Sequence, residues 1–228
     1  VTYNAYYRLQ TSSYTRLLTI EEIEPSTRSR FRKLRPYLKG AEDFVPILMA
    51  IEQNIPINSQ QDFGRVREQY KYDLTRFQEA FYGERDYLQQ HEKALWLNLN
   101  PLFEGIGEVL KQQDSFENVF ILTTKRQEDV LKIFQYQGIP FPTDHVTYMK
   151  ADGKSEKLLE ILRENNAAMH ESVYIEDQID FLVESKKHQI GSYLVDWGYV
   201  SDEQRSLAKQ HDIPIIGVEE FRGLLSRF

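Results

Sequence analysis

The sequence predicts an α/β fold, a parallel sheet with helices on both faces, preceded by an all-helical segment. Two observations carry this expectation. From about Asn98 onward, short apolar runs alternate with helical patterns of about 10–15 residues, the signature of βαβ units. From Val1 to about Leu97, helical periodicity recurs with almost no convincing strand. The expected division is therefore a helical domain over residues 1–97 and an α/β core over residues 98–228.

In the helical part, Val1, Ala5 and Leu9 fall on one helix face. The chain reads as already in mid-helix, and its natural start is expected further upstream. Ala41–Asn54 carries Phe44, Val45, Leu48 and Met49 at helical spacing. Asp62–Phe81 repeats the pattern with Phe63, Val66, Tyr70, Leu74, Phe77 and Phe81, and Gly83 is expected to end it. Tyr87, His91, Ala94 and Leu95 mark one more helix. The abundant aromatic side chains here are expected to pack between helices.

Asn98–Pro101 reads as a linker. Leu102–Gln112 is an expected helix, and Val119–Leu122 a strand ending at Thr123 and Thr124. Arg126–Gln137 is a helix closed by Gly138 and then Pro140. His145–Met149 fits a short strand and Lys154–Asn165 a helix. Val173–Ile175 is an apolar strand of the fully buried kind, followed by a helix to about Lys187. Ser192–Val195 is a further strand, and Ser201–Gln210 a helix opened by a Ser201 and Gln204 capping box. Ile213–Val218 and Glu219–Phe228 complete the alternation.

Composition excludes several classes of function. Hydrophobic content of 41% and aromatic content of 13% are enough for a packed core rather than disorder. A formal net charge of -7 gives no basic footprint for nucleic acid and no attraction to anionic lipid. With no cysteine, disulfides and thiolate zinc sites are ruled out. No apolar run approaches the roughly 20 residues that span a bilayer, and the first residues, Val-Thr-Tyr-Asn-Ala-Tyr-Tyr, have neither a basic stretch nor an apolar run of the signal-peptide kind. A cytoplasmic protein, binding neither nucleic acid nor membrane, is expected; the oligomeric state is not encoded legibly.

Three stretches have the chemistry of a site. The strand at Val173–Ile175 stops at two adjacent acids, Glu176 and Asp177, with Asp180 following. In open α/β sheets ligands bind beyond the carboxyl ends of strands, and carboxylate oxygens suit Mg2+. The same acids also suit a helix start, as an N-cap and a first-turn charge. Thr123 and Thr124 end another strand, where hydroxyls beside a helix N-terminus suit phosphate; Thr124 and Gln127 have capping-box spacing. Lys154 opens a helix after Asp152 and Gly153, with Lys150 and Lys157 as competitors for an anion-binding role. Threonine at one strand end, lysine at a helix start and acids at the next strand end together describe a magnesium-assisted phosphate site. The five histidines, His91, His145, His170, His188 and His211, show no paired metal spacing.

From roughly Phe103 to Phe221 this order resembles the haloacid dehalogenase (HAD)-like hydrolases, chiefly phosphatases with a Rossmann-like core. Phe120-Ile-Leu-Thr123-Thr-Lys resembles the family's second motif, Lys154 its third-motif lysine, and Val173-Tyr-Ile-Glu176-Asp177 its acidic magnesium-binding motif, with Asp180 as the later acid. The resemblance implies a C1-type helical cap ahead of the second motif, where Arg35, Tyr37 and Lys39 are candidate anion contacts. It implies Mg2+ as cofactor and a small phosphorylated metabolite as substrate. Thr123, Thr124 and Lys154 would bind the phosphoryl group, with Thr123 and Lys154 taking part in catalysis, and Asp177, Glu176 and Asp180 would face the metal. The family's first motif, Asp-x-Asp-x-Thr behind an apolar strand, is absent. That motif supplies the nucleophile of an aspartyl-phosphate mechanism and belongs to a central strand, between those ending at Thr123 and Asp177. It is therefore expected upstream of Val1. A catalytically inactive binding or scaffold protein of the same fold is the alternative.

Overall fold

The computed structural model describes residues 1–11 and 18–228. The chain divides into two compact units, Val1–Leu99 and Asn100–Phe228. The α-helices of the first are α1 (Thr2–Gln10), α2 (Pro25–Leu34), α3 (Phe44–Glu52), α4 (Gln60–Gln69), α5 (Leu74–His91) and α6 (Lys93–Asn98). Pro25 sits in the first turn of α2, where its missing N–H is not needed. Ser59 caps α4 by accepting the Asp62 N–H at 3.1 Å.

The apolar helix α3 joins two clusters. Ile47 and Ala50 pack with Tyr37, Leu38, Ile57, Phe63 and Val66. Val45 and Leu48 pack with Ala5, Tyr6 and Phe77. Of the candidate anion contacts, Tyr37 belongs to the first cluster, and the Arg35 guanidinium lies 4.6 Å from the Phe44 ring centre. Asp43 fixes the turn ahead of α3, accepting the N–H groups of Lys39 at 2.8 Å and Gly40 at 3.1 Å and the Arg67 Nε–H at 2.8 Å.

Helix boundaries in this unit differ from expectation, and the helix expected from Tyr87, His91, Ala94 and Leu95 is divided between the end of α5 and α6. The single helix expected over Asp62–Phe81 is divided, α4 ending at Gln69 and α5 starting at Leu74. Gly83, expected to stop it, lies inside α5. An interior glycine costs about 1 kcal/mol, and burying one large apolar side chain gains about 1.5–3 kcal/mol. With Phe77, Phe81 and Leu88 buried along α5, tertiary packing outweighs the local preference.

The second unit runs α7 (Ile106–Lys111), β1 (Ile121–Thr123), α8 (Gln127–Gln137), β2 (Val146–Tyr148), α9 (Lys154–Glu164), β3 (Val173–Glu176), α10 (Ile179–Lys187), β4 (Gly191–Val195), α11 (Asp202–Gln210), β5 (Ile215–Ile216) and α12 (Val218–Leu225). A helix separates each strand from the next, as parallel pairing requires. Helix α7 is shorter than the expected Leu102–Gln112, because Gly105 enters it in the left-handed region at φ 79°. Gly138 closes α8 with φ 72°, and the Ser201 and Gln204 capping box is formed at α11.

The sheet is in two pieces. β1 pairs with β2 in parallel, Ile121 opposite Val146 and Thr123 opposite Tyr148. β3, β4 and β5 form a second parallel sheet, with Glu176 opposite Leu194 and Val195 opposite Ile216. Among the described residues, no ladder joins β1 to β3, so each is an end strand. The gap falls between the strands ending at Thr123 and Glu176, where the sequence reading placed the missing strand, and burial follows it: all of β1, and Val173, Ile175 and Glu176 of β3, are only half-buried. Two cores result, one around Val109, Val130, Phe134 and Val146, the other around Leu182, Leu194, Ala208 and Ile213. No helix among the described residues is long and apolar enough to cross a membrane.

Candidate functional site

The acids at the end of β3 are held by three neighbours and by a bond between themselves. The Lys154 ammonium, from the first turn of α9, forms an ion pair with Glu176 Oε2. The Tyr174 hydroxyl donates to the same oxygen at 3.0 Å. Residues two apart on a strand share a face, which places Tyr174 beneath Glu176. The Asp177 N–H donates to Glu176 Oε1 at 3.1 Å, and Asp177 Oδ2 accepts the Tyr199 N–H at 3.2 Å. Asp177 is thus not the N-cap of α10; Gln178 occupies that place.

This arrangement gives the two acids opposite electrostatics. Partial burial raises the Asp177 carboxyl, the neighbouring Glu176 charge adds to it, and the group titrates at about 7. Burial opposes ionisation of Glu176 too, yet the adjacent Lys154 charge and the bonds it accepts outweigh that and hold it below the ordinary carboxylate value. Burial beside Glu176 pushes the Tyr174 hydroxyl far up.

The loop after β4 closes the site from one side. Its Gly198 lies against Asp177, so that a Cβ there would stand 2.6 Å from Asp177 Cβ and 2.9 Å from Val195 Cγ2. Only glycine lets the backbone come this close. The Trp197-Gly198-Tyr199 stretch, to which the sequence assigned no chemistry, therefore positions an acid. The sequence carries no mark of this, because the group that bonds Asp177 is a backbone N–H. Tyr174 was the more legible omission, lying at strand spacing from Glu176.

Thr123 ends β1. Its hydroxyl accepts the Lys125 N–H at 3.0 Å, and its carbonyl accepts the Met149 N–H at 2.9 Å. Met149 in turn abuts Gly153, where a Cβ would stand 2.7 Å from its sulfur, and Lys154 follows directly. A short chain of contacts so runs from the end of β1 to the Lys154 and Glu176 pair. No hydrogen bond joins Thr123 to Lys154, Glu176 or Asp177 among the described residues. Lys125 reaches sideways, its ammonium donating to Asn100 Oδ1 at 2.8 Å.

The capping box expected from Thr124 and Gln127 does not form. Arg126 is the N-cap of α8, without a side-chain cap bond. The Gln127 amide donates instead to the carbonyls of Thr143 at 2.9 Å and Val146 at 2.8 Å, tying α8 to β2. Two backbone bonds from one side chain outcompete a single cap. Asp180 lies exposed in the first turn of α10, where the helix dipole favours it. Of the competing lysines, Lys150 is exposed and Lys157 pairs with Glu160 at 2.9 Å, whereas Lys154 is buried.

For a divalent cation, the donor chemistry fits best at Asp177. Mg2+ commonly takes one or two carboxylates and completes its shell with water and substrate phosphate. Asp177 Oδ2 accepts the Tyr199 N–H, and a cation beside the two acids would offset the Glu176 charge that, after burial, helps to raise the Asp177 carboxyl. The Glu176 charge is already matched by Lys154. Among the described residues no group of three or more His, Cys, Asp or Glu is disposed to hold a metal ion.

No protein-family model matches this sequence, and no curated protein matches it. Among solved structures, the chain matches the crystal structure of a predicted phosphatase from Clostridium acetobutylicum, with a TM-score of 0.51. The two chains share a fold. The match covers 90% of this chain and 93% of the clostridial chain, so it extends beyond the α/β unit into the helical one. Sequence identity is 15%, and the likeness is accordingly one of fold and not of residues.

Proposed function

We propose that this protein is a phosphatase-type hydrolase of the HAD-like kind, acting on a small phosphorylated metabolite in the cytoplasm. The observation that carries the reading is the buried Lys154 ammonium meeting the acid pair at the carboxyl end of β3. A strand end of this kind is where open α/β folds bind ligands, and the fold shared with the predicted clostridial phosphatase supports the same class.

In this reading Lys154 and the Thr123 hydroxyl hold the phosphoryl oxygens, with Thr124 beside them. Lys154 turns part of its charge from Glu176 to the incoming phosphate. Asp177, with Glu176 and Asp180 nearby in sequence, would hold Mg2+, which supplies charge screening for the phosphoryl oxygens. The Tyr199 N–H and Gly198 keep the Asp177 carboxylate aimed. The nucleophile would be an aspartate on a strand lying between β1 and β3, where no ladder joins the two among the described residues. Its carboxylate would attack phosphorus as the P–O bond to the leaving group breaks, the leaving oxygen taking a proton from water, and a second water would then hydrolyse the aspartyl phosphate to inorganic phosphate and the free carboxylate. The half-buried, one-sided β1 and β3 support such a strand. The helical unit is proposed as the cap that selects the substrate.

A second reading, a non-catalytic binding protein of the same fold, is favoured by one observation: no Asp-x-Asp follows an apolar strand in these 228 residues. Release of phosphate from p-nitrophenyl phosphate by the full natural gene product with Mg2+ separates the two. Turnover that falls in Asp177→Asn supports the hydrolase; no turnover supports the binding protein.

A further inference from the structure

The same loop that aims Asp177 carries an aromatic side chain outward. Tyr199, whose N–H bonds Asp177 Oδ2, remains 40% exposed, and Phe103 beside it 42% exposed. Their ring centres are 5.7 Å apart and their planes tilted by 69°, an edge-to-face pair. Single exposed apolar side chains are ordinary on protein surfaces. This pair differs in two respects. It brings together residues far apart in sequence, and one member is fixed by its own backbone to the carboxylate of the candidate site.

The geometry around it is built rather than incidental. Gly198 permits the backbone to touch Asp177, and Trp197 on the other side of that glycine packs against Phe221 with ring centres 5.4 Å apart. The loop is therefore anchored inward at Trp197 and at the Tyr199 N–H, while the Tyr199 ring turns out to meet Phe103. In an edge-to-face pair, at least one ring keeps a face that its partner does not cover, and such a face accepts another flat ring.

We propose that Phe103 and Tyr199 form a platform for the leaving group of the phosphate ester, and that this leaving group carries a planar aromatic ring. The inference rests on the hydrolase reading and narrows it: the substrate class is an aryl-type or base-bearing phosphate rather than an aliphatic one. Recognition comes from stacking on the ring pair, next to Asp177, the acid proposed to hold the metal.

Calorimetric titration of the full natural protein with inorganic phosphate, methyl phosphate and phenyl phosphate, each with Mg2+, tests the platform. Phenyl phosphate is expected to bind about tenfold more tightly than methyl phosphate, the scale of one aromatic contact. That ratio is expected to fall towards one in Phe103→Ala and in Tyr199→Ala, and to survive in Tyr199→Phe, which keeps the ring. If one alanine variant fails to fold, the other carries the comparison. A ratio of one in the wild type, or a ratio that survives in the alanine variants, overturns the platform while leaving phosphate binding intact. Absence of binding by all three ligands overturns the hydrolase reading and the platform with it.

Discussion

Lys154 and Glu176 stand 22 residues apart in sequence and form an ion pair largely withdrawn from water, their side chains 6% and 13% exposed. Removing one partner of such a pair leaves the other desolvated and uncompensated. Lys154→Met is expected to lower unfolding stability by about 3–5 kcal/mol. The double change Lys154→Met with Glu176→Gln is expected to recover a large part of that loss, since no buried charge is then stranded. Urea unfolding of the three proteins checks both statements; a loss in the single variant under about 1 kcal/mol would mean that the pair is solvated.

Asp177 sets a pH dependence whose sign is opposite to the usual one for a carboxylate. The folded chain keeps this proton up to about 7, whereas the unfolded chain releases it near about 4. Its contribution thus favours folding at low pH and is lost as pH rises from about 4 to about 7. Glu176, held low, contributes in the other direction, with stability present above the ordinary carboxylate value and lost as pH falls through its folded value. The urea midpoint of the wild type is expected to fall between pH 5 and pH 7 relative to that of Asp177→Asn. Parallel profiles for the two would show that Asp177 titrates normally.

Mg2+ should reverse that loss. A cation bound by the ionised Asp177 stabilises the folded state by mass action. At pH 7.5, millimolar Mg2+ is expected to raise the melting temperature of the wild type and not that of Asp177→Asn. Equal shifts in both would assign the metal to other groups.

Two glycines respond oppositely to alanine. At Gly198 the added methyl would stand 2.6 Å from Asp177 Cβ, and overpacking of this kind costs about 1–3 kcal/mol. At Gly83, inside α5, nothing lies within 4 Å of the added methyl. There alanine is expected to stabilise by about 0.5–1 kcal/mol through helix propensity. Thermal melts of the two variants should move in opposite directions; Gly198→Ala at wild-type stability would mean that the loop is free to leave Asp177.

Much of the α/β order was legible because it is local. The strands ending at Thr123 and Glu176, the helix stop at Gly138 and the Ser201 and Gln204 cap all follow from neighbouring residues. Gly83 was misread because its helical cost is local, while the compensating burial of Phe77, Phe81 and Leu88 is not. The unformed cap at Thr124 has the same origin: Gln127 found its carbonyl partners on residues 16 and 19 positions away. At the site, the acids and Lys154 could be named from their places at a strand end and a helix start. Their pairing, and the roles of Gly198 and the Tyr199 N–H, depend on a loop closing from β4 and on a backbone group that every residue except proline carries.

The central claim is that Lys154, Thr123 and Asp177 serve one phosphate. Equilibrium binding of inorganic phosphate in the presence of Mg2+, compared across the wild type, Thr123→Ala, Lys154→Gln and Asp177→Asn at a temperature where all four are folded, tests it most directly. The expected result is at least about a tenfold weakening in each variant, the scale of one charge-assisted bond lost. Phosphate bound equally well by Lys154→Gln and the wild type would contradict the account.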